Sequence, residues 1–160
     1  KVSYLKTGRL FEASAKTGAI LACRSAEEIK IFGLLGKALG TAFQIQDDIL
    51  DYEALRLDTG KPALKDFKEG KITFPLYFAL QQANSKDKNF IMSQLGQSKI
   101  FKKDQNKIYQ LIQNDKTQKE INALLEKYTN ETLRHLNKLK NHACYNELLD
   151  LINFSKIRKI

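Results

Sequence analysis

Cysteine, proline and long apolar runs are all scarce in this chain, and each scarcity removes a class of protein. Two cysteines occur in 160 residues, Cys23 and Cys144. They are too few for a disulfide framework and too far apart for a metal-binding spacing, so two reduced thiols in a cytoplasmic protein are expected. Two prolines, Pro62 and Pro75, leave helices almost uninterrupted. The best apolar run, residues 29–42, is broken by Lys30 and Lys37, short of the roughly 18 residues of a membrane-spanning helix. No stretch alternates apolar and polar residues long enough to make a strand. Acidic residues are also in deficit, 18 against 27 basic ones, for a formal charge of +9. That balance attracts anions, whether nucleic acid, acidic lipid or a phosphorylated small molecule, and does not choose among them.

What is abundant is Leu, Ile, Ala, Lys, Glu and Gln, and the expectation is an all-α protein of one domain with a sizeable core. The chain opens at Lys1 without an initiator Met and reads as a portion of something longer. Leu5, Leu10, Phe11, Ala15, Ile20 and Leu21 recur at helical spacing. Ser25-Ala26-Glu27-Glu28 is a capping box that starts a second helix at Ala26. In it Gly33, Gly36 and Gly40 share a face where another backbone can approach, which places this helix at the centre of a bundle. Residues 53–72 read as a long loop, after which Thr73 or Phe74 caps a helix with Pro75 in its first turn. Further on, residues 84–88 read as a polar connection and Gly96 as a stop. Asp104 reads as a cap, and Thr117-Gln118-Lys119-Glu120 as a second capping box. Apolar stripes over 121–139 and 148–154 give the last two helices. His135 and His142 are expected at the surface. The clusters Lys99-Ile100-Phe101-Lys102-Lys103 and Lys156-Ile157-Arg158-Lys159 read as solubilising faces, since no aromatic stacking platform or nucleic-acid motif accompanies them.

Chemistry concentrates in Phe43-Gln44-Ile45-Gln46-Asp47-Asp48-Ile49-Leu50-Asp51. On a helix, Gln44, Asp47, Asp48 and Asp51 share one face. Like charges at i,i+4 repel, and a helix C-terminus already carries partial negative charge, so the face calls for a cation. An all-oxygen donor set suits a hard ion such as Mg²⁺ better than Zn²⁺. The alternative is a solvated acidic surface. Phe43, Ile45, Ile49 and Leu50 argue against it, because a helix so flanked is largely buried. In the loop that follows, Gly60-Lys61-Pro62 and Glu69-Gly70-Lys71 each set a lysine after a glycine. Bent backbone N–H groups beside an ammonium make a phosphate-binding lid; a solvated basic loop is the other reading.

Phe43-Gln44-x-x-Asp47-Asp48-x-x-Asp51 resembles the second aspartate-rich motif of the trans-isoprenyl diphosphate synthases, the polyprenyl synthetases. The flanking pieces agree in order. Lys6-Thr7 precedes Leu10-Phe11-Glu12 and Gly18-Ala19-Ile20; then come Gly60-Lys61-Pro62, Asp66 and Glu69-Gly70-Lys71-x-Thr73-x-Pro75. The resemblance covers residues 6–75; beyond about Leu80 it extends only to helical character. It implies a helical bundle of the isoprenoid synthase type and Mg²⁺-dependent elongation of an allylic diphosphate with isopentenyl diphosphate. It also implies roles: Asp47, Asp48 and Asp51 as metal ligands; Lys6, Lys61, Lys71 and Gln44 as substrate-binding residues; Lys6, Thr7 and Gln44 as catalytic residues.

Those synthases carry a first aspartate-rich motif in an N-terminal half, and no second DDxxD occurs here. The resemblance is therefore to the C-terminal half, and the chain is expected to be inactive alone. A homodimer, or a heterodimer with a small synthase subunit, is the expected assembly. No nucleic-acid partner is expected, and the polyprenyl product would associate with a membrane surface. Competing readings are a terpene cyclase of related fold, a basic helical module for nucleic acid or membrane surfaces, and a noncatalytic subunit of a two-component synthase.

Overall fold

The computed structural model describes residues 4–55 and 63–157. Among them are eight α-helices and no strand: α1 Arg9–Leu21, α2 Ala26–Glu53, α3 Lys65–Lys68, α4 Phe74–Gln82, α5 Ser85–Gln94, α6 Lys102–Ile112, α7 Asp115–Asn137 and α8 Tyr145–Ile157. A π-helical turn, Tyr4–Gly8, leads into α1.

Local sequence explains the starts of α2 and α4. The Ser25 box forms as expected: Ser25 N–H donates to Glu28 Oε2 at 2.9 Å, and Glu28 N–H donates to Ser25 Oγ at 3.3 Å. Helix α4 starts after Thr73 with Pro75 in its first turn, where a missing N–H is harmless. Other boundaries differ from the sequence reading. Helix α5 begins at Ser85, because Asn84 accepts the Asp87 N–H at 2.9 Å and caps a segment whose polar sequence reads as a connection. Asp104 lies inside the first turn of α6, which begins one residue after Phe101. The Thr117 box does not form; α7 begins at Asp115 and Thr117 is buried within it.

The chain divides into two units, Asp47–Leu124 and a second built from residues up to Gln46 together with those from Leu125. In the discontinuous unit, Leu35 and Leu39 of α2 pack with Leu136, Leu139 and Ile152. In the continuous unit, Tyr52, Leu64, Phe67, Leu76, Ile91, Ile108, Ile112 and Ile121 form the core. Burying one such side chain contributes roughly 1.5–3 kcal/mol. No helix of the described residues is long and apolar enough to cross a membrane.

Candidate functional site

Glycine decides how α1 meets the first part of α2. A Cβ on Gly36 would stand 2.5 Å from the Phe11 carbonyl oxygen, and one on Gly40 would stand 2.9 Å from the Gly8 Cα. The two backbones touch where no side chain fits. That contact delivers the π-helical turn to α2, and the Thr7 hydroxyl donates to the buried carboxamide oxygen of Gln44. The turn is held from its other side as well. Tyr4 donates to Glu12 at 2.6 Å and Lys16 does so at 2.5 Å, and these bonds, that of Lys16 first, hold the Glu12 carboxyl below its usual range. Lys6, between Tyr4 and Thr7, is exposed.

Along α2, Gln44, Asp47, Asp48 and Asp51 fall on one face, as the spacing requires. Asp48 is 4% exposed, whereas Asp47 and Asp51 are half-buried. Asp51 reaches forward in the chain. Its Oδ1 accepts the Lys65 N–H at 2.9 Å and its Oδ2 the Asp66 N–H at 3.2 Å. These are first-turn donors of α3, which lack partners within their own helix and carry partial positive charge. Burial nonetheless pushes the Asp51 carboxyl above its ordinary range. The two N–H bonds pull it down, and Asp66 and Asp47 push it further up.

Leu64, just before α3, takes a left-handed conformation with φ 59°. For a side chain with a Cβ this costs roughly 1–2 kcal/mol, a cost of the same size as the gain from its complete burial. The turn after α3 presents Lys71. Its N–H donates to the Asp66 carbonyl at 2.9 Å, and its Nζ to Asp66 Oδ1 at 3.0 Å. Nζ also pairs with Glu69. Glu69 and then Asp66 push the lysine well above its ordinary range. Gly70, at φ 75°, supplies the bend.

The structure thus joins Thr7 with Gln44, and Asp51 with the segment that carries Lys71. Lys61, with the whole Gly60-Lys61-Pro62 motif, lies outside the described residues.

A family model described as polyprenyl synthetase matches residues 1–114, which contain every one of these side chains. The chain belongs to the polyprenyl synthetase family. Octaprenyl diphosphate synthase of Escherichia coli is 42% identical over 97 residues, 61% of this chain and 30% of that protein. Geranylgeranyl diphosphate synthase of Sulfolobus acidocaldarius is 31% identical over 138 residues, 86% of this chain and 42% of that one. Among solved structures, decaprenyl diphosphate synthase of Rhodobacter capsulatus superimposes with a TM-score of 0.85 at 28% identity. The match covers 99% of this chain and 49% of that one. The chain therefore spans less than half the length of these relatives.

For a polyprenyl synthetase chain the donor chemistry of the acidic face fits a hard divalent cation, since every candidate ligand is an oxygen. Among the described residues no three His, Cys, Asp or Glu side chains gather to enclose an ion. One contact beside the aspartates has no local signature in the sequence. The buried Tyr52 hydroxyl lies 3.1 Å from Thr73 Oγ1, and burial raises its pKa far above the ordinary phenol value.

Proposed function

We propose that this chain is the diphosphate-and-metal half of a polyprenyl diphosphate synthase, and that the whole enzyme elongates an allylic diphosphate with isopentenyl diphosphate. The reading is carried by α2: three carboxylates on one face of an uninterrupted helix, one turn beyond a Gln44 that is fixed by Thr7 of the Lys6-Thr7 pair. Asp47 and Asp48 would hold Mg²⁺, which when bound supplies positive charge to a departing diphosphate.

The chain's own residues do the rest. Lys6, Lys71 and, by resemblance, Lys61 donate to phosphate oxygens and stabilise the charge that grows there as the C–O bond breaks. That bond's electron pair leaves with the diphosphate. The double bond of isopentenyl diphosphate then attacks the allylic carbon, and a proton leaves the adduct, giving a product one isoprene unit longer. Thr7 and Gln44 present oxygen dipoles, locked by their mutual hydrogen bond, to the developing cation.

The test is thermal unfolding of the chain with Mg²⁺ and an allylic diphosphate. Ligand at 100 times its dissociation constant stabilises the folded state by about 2.7 kcal/mol. Stabilisation should require both ligands and vanish in Asp47→Asn/Asp48→Asn. An equal shift in that variant, or binding to RNA or lipid that ignores Mg²⁺ and collapses with salt, overturns the reading. Prenyl transfer is expected of the whole enzyme and not of the isolated chain.

A further inference from the structure

We propose that Asp51 and Tyr52 are positioning residues that set Lys71, and that Asp51 takes no metal ion. The proposal rests on the diphosphate reading of Lys71 and deepens it. Asp51 and Tyr52 are consecutive on the last turns of α2, and each reaches one end of the segment that carries the lysine. At the near end, the two carboxylate oxygens of Asp51 accept one N–H each from Lys65 and Asp66, while the Asp51 carbonyl accepts the Leu64 N–H at 3.3 Å. At the far end, Tyr52 holds Thr73, two residues past Lys71, through a buried hydroxyl pair.

Between these anchors Asp66 passes the constraint on, since its carbonyl and its carboxylate both accept from Lys71. The segment is also pinned from outside: Gly96 N–H donates to the Phe67 carbonyl at 3.0 Å, and a Cβ on Gly70 would stand only 3.9 Å from the Gly96 Cα. A carboxylate that satisfies two first-turn N–H groups acts as a long-range helix cap. To bind a metal it would have to leave both N–H groups without partners.

The experiment uses the whole synthase that carries this chain, with four substitutions: Asp51→Asn, Tyr52→Phe, Lys71→Ala and Asp47→Asn. Asp51→Asn keeps shape and one acceptor, and Tyr52→Phe removes only a hydroxyl, so both leave the fold standing. Each is expected to raise KM for the allylic diphosphate about three- to tenfold, the range for losing one or two hydrogen bonds. The Mg²⁺ concentration for half-maximal rate should stay within about twofold of the parent, since no ligand to the ion is lost. In a Lys71→Ala background both effects on KM should disappear, because residues that act through one group are not additive.

A rise in the Mg²⁺ requirement for Asp51→Asn as large as that for Asp47→Asn overturns the proposal by making Asp51 a ligand. Undiminished effects in the Lys71→Ala background overturn it by removing the route through Lys71. If Asp47→Asn leaves the Mg²⁺ requirement unchanged, the metal reading of that aspartate fails instead, and the Lys71 background still decides the brace. Amide exchange at Lys65 and Asp66 supplies a readout free of turnover: protection in the parent that is lost in Asp51→Ala supports the cap, and unaltered protection refutes it.

Discussion

His135 stands on α7 with its ring turned away from solvent. It is 5% exposed, its Nδ1 is buried without a partner, and its Nε2 stands 3.9 Å from Glu131, beyond hydrogen-bond reach. Burial, then the charge of Arg134, push its pKa down; Glu131 pushes up and Lys138 pushes down. The folded chain thus holds the ring neutral while the unfolded chain protonates it near pH 6.5, so stability is lost as pH falls through about 6.5 toward the depressed folded value. Urea midpoints should drop between pH 7 and 5, and His135→Leu should flatten that slope; an unchanged slope counts against it. Glu12, Glu28 and Asp87 are held below their usual values. Their stabilising effect is therefore lost lower, at and below about pH 4.5. A signal for burial was present in the sequence. Thr132, His135 and Leu136 follow i, i+3, i+4 on α7, so the histidine shares the buried face of its helix.

At the scale of elements, α2 was legible because its cap, its apolar run and its glycines all agree. The glycines also make a paired prediction, since Ala for Gly in a helix interior gains about 1 kcal/mol before any contact is considered. A Cβ on Gly18 meets nothing within 4 Å, so Gly18→Ala should raise stability by up to about that amount. A Cβ on Gly36 meets the Phe11 carbonyl at 2.5 Å and the Ala15 Cβ at 2.9 Å. Overpacking of that kind costs about 1–3 kcal/mol, so Gly36→Ala should destabilise despite the same propensity gain. Denaturant midpoints of the two variants on opposite sides of the parent confirm this; shifts in the same direction refute it. Helix α3 was not legible. Its four residues have too few bonds to form alone, and what holds them is Asp51, fourteen residues back, with the burial of Leu64 and Phe67. A chain read locally shows only a loop there. The same blindness hid the Tyr52–Thr73 pair, 21 residues apart.

At the scale of the molecule, α1 leaves Leu10 at 70% exposure, Ile20 at 56% and Leu21 at 79%. Apolar side chains presented along one helix favour association. The isolated chain should sediment with a mass that grows with concentration, and Leu10→Lys/Leu21→Lys should return it to a monomer; a parent that stays monomeric throughout rejects this. The family was legible in the ordered motifs of residues 6–75. The division into two units was not, because it depends on contacts such as Leu35 and Leu39 with Leu136 and Ile152, about a hundred residues apart. That division has a consequence for how the protein is made. The unit that begins first is finished last: its opening helices emerge from the ribosome and must wait for residues beyond Leu124, while Asp47–Leu124 can complete its own core in the interval. At roughly 5–20 residues per second the wait lasts seconds. Until residues beyond Leu124 arrive, Leu35 and Leu39 of α2 lack the Leu136, Leu139 and Ile152 side chains that complete their core.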